Sequence, residues 1–162
     1  MNSLWKYWAA FCCAALLLAG CAQPQPAMPQ QADSWSGRMA LTVEGDAQKS
    51  FSATFLLEGS KERGGLRLST ALGTILAELS WTPEGAMLTS AQGDRSAASL
   101  DALLTDALGS PVPVEALFAW LRGDDLQAAG WQANLDDLPR GRLVAVRNNP
   151  APRSTLRLVL ER

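Results

Sequence analysis

From Arg38 onward, apolar and polar side chains alternate. Met39, Leu41 and Val43 fall on one side, with Arg38, Ala40 and Thr42 on the other. Gly45-Asp46 interrupts the pattern; Phe51, Ala53, Phe55 and Leu57 resume it, with Ser52 and Thr54 opposite. After residues 59–65, Leu66 and Leu68 alternate with Arg67 and Ser69. A short loop, Thr70-Ala71-Leu72-Gly73-Thr74, leads to Ile75, Ala77, Leu79 and Trp81, set against Glu78 and Ser80. Thr82-Pro83-Glu84-Gly85 carries the Pro and Gly of a tight turn, and residues 86–90 make a fifth short strand. A period of two sends successive side chains to opposite faces of a pleated sheet. Five such segments bounded by turn residues predict an antiparallel meander.

The period then lengthens. Leu100, Leu103, Leu104, Ala107 and Leu108 form one helical stripe, with Ser99 placed to cap it and Gly109 to end it. Pro113 suits the first turn of a second helix, on which Val114, Leu117, Phe118 and Leu121 step along one side before Gly123. Alternation returns in residues 131–135 and 143–147, and Leu156, Leu158 and Leu160 line one face of a last strand. Two short amphipathic helices between five strands and three must cover an apolar surface, and the sheet provides one. The expected fold is mainly β (α+β): an open antiparallel half-barrel of eight strands covered by two short helices. Its concave face is either a ligand cavity or a side-chain-filled core.

The N-terminus changes the picture. Residues 8–18 are an uncharged apolar run behind Lys6. Eleven residues at about 1.5 Å each reach roughly 16 Å, half a bilayer core, which suits a signal-peptide h-region and not a spanning helix. Leu18-Ala19-Gly20-Cys21 follows and matches the lipobox of bacterial lipoproteins: small residues admit a peptidase, and the thiol accepts diacylglycerol. We therefore expect a signal peptide over 1–20, a Pro/Gln-rich tether over 21–34 lipidated at Cys21, and one domain over 35–162. The tether, with prolines at 24, 26 and 29, would reach roughly 40 Å if extended.

Composition then removes chemistries. Lys6 is the only charge in residues 1–20, so the mature chain keeps 13 Lys+Arg against 16 Asp+Glu, a formal −3. That balance argues against nucleic acid as a partner. There is no His, Cys12 and Cys13 leave with the signal, and Cys21 is acylated, so no thiol or imidazole remains for metal binding or for nucleophilic catalysis. The close acidic pairs Glu44/Asp46, Asp124/Asp125 and Asp136/Asp137 sit in turns containing Gly or Pro, where Asp is an ordinary turn former. We expect no catalytic residue, no metal and no cofactor.

Ser36-Gly37-Arg38-Met39-Ala40-Leu41 resembles the LolB family of outer-membrane lipoprotein receptors. So do Leu66-Arg67-Leu68-Ser69-Thr70-Ala71-Leu72-Gly73-Thr74, with Ala71 where the family has Pro, the turn Gly109-Ser110-Pro111-Val112-Pro113-Val114, and Ala119-Trp120-Leu121-Arg122-Gly123. The resemblance covers residues 37–123 well and the last strands loosely. It implies an open β-barrel with a helical lid. The implied function is acceptance of acylated lipoproteins from the periplasmic carrier LolA and their insertion into the inner leaflet of the outer membrane, by a monomer anchored there through Cys21. Ala22 after Cys21 fits outer-membrane sorting, since Asp there signals retention in the resembling pathway. Two departures accompany the likeness: the tether runs almost directly into Trp35, leaving out the family's helix before the first strand, and the region 123–143 is short enough to lack strands.

From the residues alone Leu72, between Ala71 and Gly73, either tucks back onto the sheet or protrudes. The resemblance implies that it protrudes and that Gly73 lets the backbone present it, making them the membrane-insertion loop, with Leu68 and Ile75 anchoring its flanks. Candidate acyl-cavity liners are Met39, Leu41, Phe51, Phe55, Leu66, Leu68, Leu79, Trp81, Leu117, Phe118 and Trp120. Ordinary core packing is the competing role for each. Trp120 lies off the helix stripe and is the best placed for a surface with one wet side. Arg38 either pairs with a lid carboxylate or faces solvent. The alternative functions are a structural or assembly lipoprotein of the outer membrane and a paralogue binding another lipid; cargo preference is not written in the residues.

If Cys21 is the anchor, Cys21→Ala should leave a folded, soluble periplasmic protein, because the tether contributes no apolar periodicity to the fold. Fractionation after a high-salt wash checks this. Retention of the variant in the outer membrane would refute the anchor.

Overall fold

The structure, a computed structural model, describes residues 33–108 and 113–161, with the backbone alone at 107 and 108. The described strands are β1 (Asp33–Val43), β2 (Phe51–Gly59), β3 (Gly64–Ser69), β4 (Ile75–Thr82), β5 (Gly85–Ser90), β6 (Gly93–Ala97), β7 (Trp131–Asn134), β8 (Arg142–Arg147) and β9 (Ser154–Leu160). Between β6 and β7 lie helices α1 (Leu100–Leu108) and α2 (Val114–Arg122), and a 3-10 turn (Leu138–Arg140) precedes β8. The strands form one antiparallel sheet ordered β6-β5-β4-β3-β2-β1-β9-β8-β7. The expected half-barrel covered by two helices is thus the observed fold.

The alternation sets the faces. Met39, Leu41 and Val43 on β1 stand with Phe55 and Leu57 on β2, Leu79 and Trp81 on β4, Leu143 and Ala145 on β8, and Leu156 and Leu158 on β9, in one buried cluster. Leu103 and Leu104 of α1 and six residues of α2 complete it. Ser99 caps α1 through its Oγ, which accepts the Ala102 N–H at 3.2 Å. Helix α2 stops at Gly123, whose left-handed φ of 94° lets the N–H groups of Gly123 and Asp124 reach back to Trp120 O and Ala119 O.

Three sequence expectations need correction. Nine strands are described, not eight: β6, Gly-Asp-Arg-Ser-Ala, has no large apolar residue and forms an edge strand. The family likeness implies that 123–143 is short enough to lack strands, against the alternation of 131–135; the alternation holds, and the region carries β7 and the 3-10 turn. Ile75 does not continue the apolar face of β4. The β3–β4 register slips between Leu68 and Ser69, so Leu68 faces Ala77 while Ser69 faces Ile75, and Leu76 is the extra residue. Both Ile75 and Leu76 end up exposed.

Sequence periodicity also misses Arg147. It stands on the inner face opposite Ser154 and is 2% exposed. Its guanidinium lies over the Trp131 ring at 5.7 Å and donates to Pro152 O and Ser154 Oγ. Burial pulls its pKa down from the usual arginine range, and its Nε–H meets no acceptor.

The glycine of the Ser36-Gly37-Arg38 segment has a structural reason. A Cβ on Gly37 would lie 2.0 Å from Val159 O on β9, at a φ of 154°. Backbone cannot yield as a side-chain tip can. Gly37→Ala should therefore destabilise the domain by about 2–4 kcal/mol, read from urea unfolding. An unchanged midpoint would mean that β1 and β9 are not paired in this register.

Candidate functional site

The loop between β3 and β4 is closed by its own backbone. The Thr70 N–H donates to Thr74 O at 2.8 Å and the Gly73 N–H to Thr70 O at 2.9 Å, while Thr70 Oγ1 accepts the Thr74 N–H. Gly73 takes a φ of 85°, for which a side chain would be strained. This short clamp leaves Leu72 at its tip, 95% exposed. Ile75 and Leu76 extend the apolar surface at 54% and 41% exposure. Leu76 falls on the outward side of the alternation with Glu78 and Ser80, whereas Ile75 is turned outward by the register slip. No charged residue lies between Arg67 and Glu78, so the whole loop and the start of β4 are uncharged.

The proposed liners lie elsewhere, on the inner face. Met39, Leu41, Phe55, Leu79, Trp81, Leu117, Phe118 and Trp120 are fully buried, and Phe51, Leu66 and Leu68 are half-buried against them. Phe118 is the hub. Its ring meets Trp35 at 5.6 Å and Trp81 at 6.2 Å, both edge-to-face, and the Arg122 guanidinium lies 5.9 Å from its centroid. Trp81 anchors its far end by donating its indole N–H to Ser60 O at 2.9 Å.

Trp120 departs from the expected half-wet position: it is completely buried. After Gly123 the chain doubles back along α2, and Leu126 O accepts the Trp120 indole N–H at 2.7 Å. The side of the helix that a single stripe would leave wet is therefore covered by its own continuation. Arg38 faces solvent on the outer face, away from the lid carboxylates.

Exposed ion pairs join the helices to the sheet. Lys61, in the β2–β3 turn, meets Glu115 of α2 at 2.8 Å; Arg122 of α2 meets Asp33 of β1 at 3.6 Å; Arg95 of β6 meets Asp106 of α1 at 3.2 Å. Glu115, accepting the Lys61 hydrogen bond, holds that ammonium above its usual range. A cleft of 730 Å³ lies along the helices, where the carboxylates Asp101, Asp106 and Glu115 meet Thr105, Pro113 and Ala128. A groove of 310 Å³ crosses β2–β5 beside Arg67, Glu78 and Met87. Among the described residues no cluster has the composition of a metal site, and no helix is long and apolar enough to cross a membrane. Cys21 lies outside the described residues, as do the expected signal peptide, nearly all of the expected tether, and Gly109, the expected end of α1.

Comparison with known proteins gives the same direction throughout. The family model described as outer membrane lipoprotein LolB matches residues 33–151. The outer-membrane lipoprotein LolB of Bordetella petrii is 36% identical, over 89% of this chain and 86% of its own length. That of Bordetella parapertussis is 35% identical over 96% and 92%, and that of Chromobacterium violaceum 34% over 75% and 69%.

The packing makes a contrast that urea unfolding can read. Phe118→Ala should cost about 3–5 kcal/mol, as truncation of a fully buried aromatic does. Leu72→Ala should stay within about 0.5 kcal/mol, as surface changes do. A small effect at Phe118 would take it out of the core; a large one at Leu72 would put Leu72 in it.

Proposed function

Because this chain belongs to the family of the outer-membrane lipoprotein LolB, we propose that it is a receptor that accepts acylated lipoproteins from a LolA-type periplasmic carrier and releases them into the inner leaflet of the outer membrane. It works as a monomer, held in that leaflet by the lipid on Cys21, and no step in its work is catalytic.

The observation that carries this reading is Leu72. Leaving a Leu in water forgoes roughly 1.5–3 kcal/mol of burial. Here a hydrogen-bonded loop holds that residue 95% exposed, beside two more exposed aliphatic residues. The tip is suited to the boundary between headgroups and acyl chains, and Gly73 supplies the backbone turn that presents it.

Cargo binding needs apolar surface on a different scale. Each buried CH₂ is worth about 0.8 kcal/mol, so acyl chains do not cross water unshielded. The apolar surface in this domain is the inner face with the undersides of α1 and α2, where Met39, Leu41, Phe55, Leu79, Trp81, Leu117, Phe118 and Trp120 now pack on one another, with Phe51, Leu66 and Leu68 at the margin. Acyl chains reach these residues when the helices move off the sheet. The ion pairs holding the helix rims are solvent-exposed, and pairs of that kind contribute about 0–1 kcal/mol each, so they restrain the lid weakly. The chain carries no Gly-rich phosphate loop, so the transfer runs down a gradient of affinity from carrier to receptor to bilayer.

Leu72→Glu should leave the melting temperature and uptake from the carrier unchanged while stopping release, so that cargo accumulates on the receptor. A carrier-to-liposome transfer assay follows both steps. Normal delivery to liposomes by the variant would exclude the loop from insertion.

A further inference from the structure

The outer face of the sheet is divided by charge. On β1, β9, β8 and β7 the outward positions include Arg38, Arg142 and Arg157, with Glu161, just past β9, accepting a hydrogen bond from the outward Ser36 at 3.3 Å; on β2 to β6 they include Arg67 against Glu58, Glu78 and Asp94. Arg67 and Glu78 are direct cross-strand partners with a 2.7 Å ion pair, the arrangement that stability favours. The other half does the reverse. Arg38 and Arg142 each pair across the ladder with Val159, and Arg157 pairs with Ala40 and Val144, so three guanidinium groups surround one valine. Among the described residues Arg38 and Arg157 have no ion-pair partner, and Arg142 reaches only Asp137, at 3.6 Å. Val159 and Val144 between them are 50% and 36% exposed. Like charges this close repel, and a net acidic chain has no bulk need for them.

We propose that this face docks on anionic phospholipid headgroups. Guanidinium groups match phosphate oxygens in geometry and charge, and the two valines between them suit the glycerol boundary. Position favours a lipid surface over an acidic protein. Arg38 shares a ladder row with Thr54 and Ser69, and Ser69 is the last strand residue before the Leu72 loop. Two strand spacings, about 10 Å, separate Arg38 from Ser69 at the foot of that loop, with Arg157 and Arg142 one and two strands further on. One bilayer therefore meets both, with hydrocarbon contact at Leu72 and phosphate contact at the arginines. The proposal goes beyond the receptor reading and rests on it only for the nearness of a membrane.

The test uses the full chain carrying Cys21→Ala and co-sedimentation with vesicles of phosphatidylethanolamine, with or without phosphatidylglycerol. Binding should be stronger on the anionic vesicles and should fall with salt. Each arginine near an anionic surface contributes about fivefold, so Arg38→Gln with Arg157→Gln should lower anionic-vesicle binding on the order of 25-fold and leave zwitterionic binding unchanged. Arg67→Gln alters net charge on the other half of the face and should have little effect. Leu72→Glu should weaken binding to both vesicle types. The proposal is overturned if phosphatidylglycerol gives no preference, if Arg67→Gln acts as strongly per charge as the pair, or if the arginine changes weaken binding to the lipoprotein carrier and not to vesicles. An arginine effect with a silent Leu72→Glu would sustain the headgroup surface and sink the insertion loop.

Discussion

The domain depends on hiding one apolar face that its own sheet does not hide. Nine antiparallel strands end in two edges, β6 and β7, so the concave side is not sealed by strand pairing. Helix α2 seals it, and it is buried almost all round: Val114, Ala116, Leu117, Phe118, Trp120 and Leu121 are all inaccessible. Phe118 is packed against Trp35 and Trp81 of the sheet, and Trp120 is held by the returning chain after Gly123 through its hydrogen bond to Leu126 O. A helix of nine residues is too short to persist on propensity alone, so packing is what keeps it.

How much of this was legible depends on which force set each feature. Where burial alone decided, the alternation was enough: β1, β2 and β9, the stripe of α2 and its stop at Gly123 are written in residue types. Where pairing decided, it was not. The five residues of β6 owe their strand to the hydrogen bonds of β5, which leave no hydrophobic signature. The slip after Leu68 is a register event, and it exposes Ile75, which the alternation assigns to the core. Trp120 and Arg147 were misjudged or missed because their surroundings come from distant chain, the doubled-back segment in one case and the Trp131–Ser154 corner in the other. At the candidate site, Leu72 was legible as a lone Leu between Ala and Gly in a polar loop. The arginine grouping was not, because Arg38, Arg142 and Arg157 meet only through the β1–β9–β8 register.

The charges fall into two kinds with different consequences. The pairs that join helices to sheet, Lys61–Glu115, Arg122–Asp33 and Arg95–Asp106, are exposed and complementary, so they guide the lid without fixing it. On the outer face Arg142 reaches Asp137, while Arg38 and Arg157 are exposed and form no ion pair among the described residues. Charge is balanced within the molecule at the helix rims, whereas these two arginines are left to draw counter-charge from outside.

On the receptor reading, one set of side chains serves both folding and cargo, and the magnitudes allow it. Raising α2 with its returning chain uncovers the stripe Val114, Leu117, Phe118 and Leu121; at roughly 1.5–3 kcal/mol for each side chain, the loss is on the order of 10 kcal/mol. An acyl chain of about 15 CH₂ groups burying itself in their place returns roughly 12 kcal/mol at 0.8 kcal/mol per CH₂. The two terms are of the same size. Packing of the helix onto the sheet therefore competes with the ligand on nearly equal terms, and the affinity that remains is a small difference between large ones. That is the condition a transfer factor without an energy source requires. A rigid, permanently open apolar cavity would bind acyl chains with the full term and hold them; a core that refills itself expels them once a bilayer is within reach.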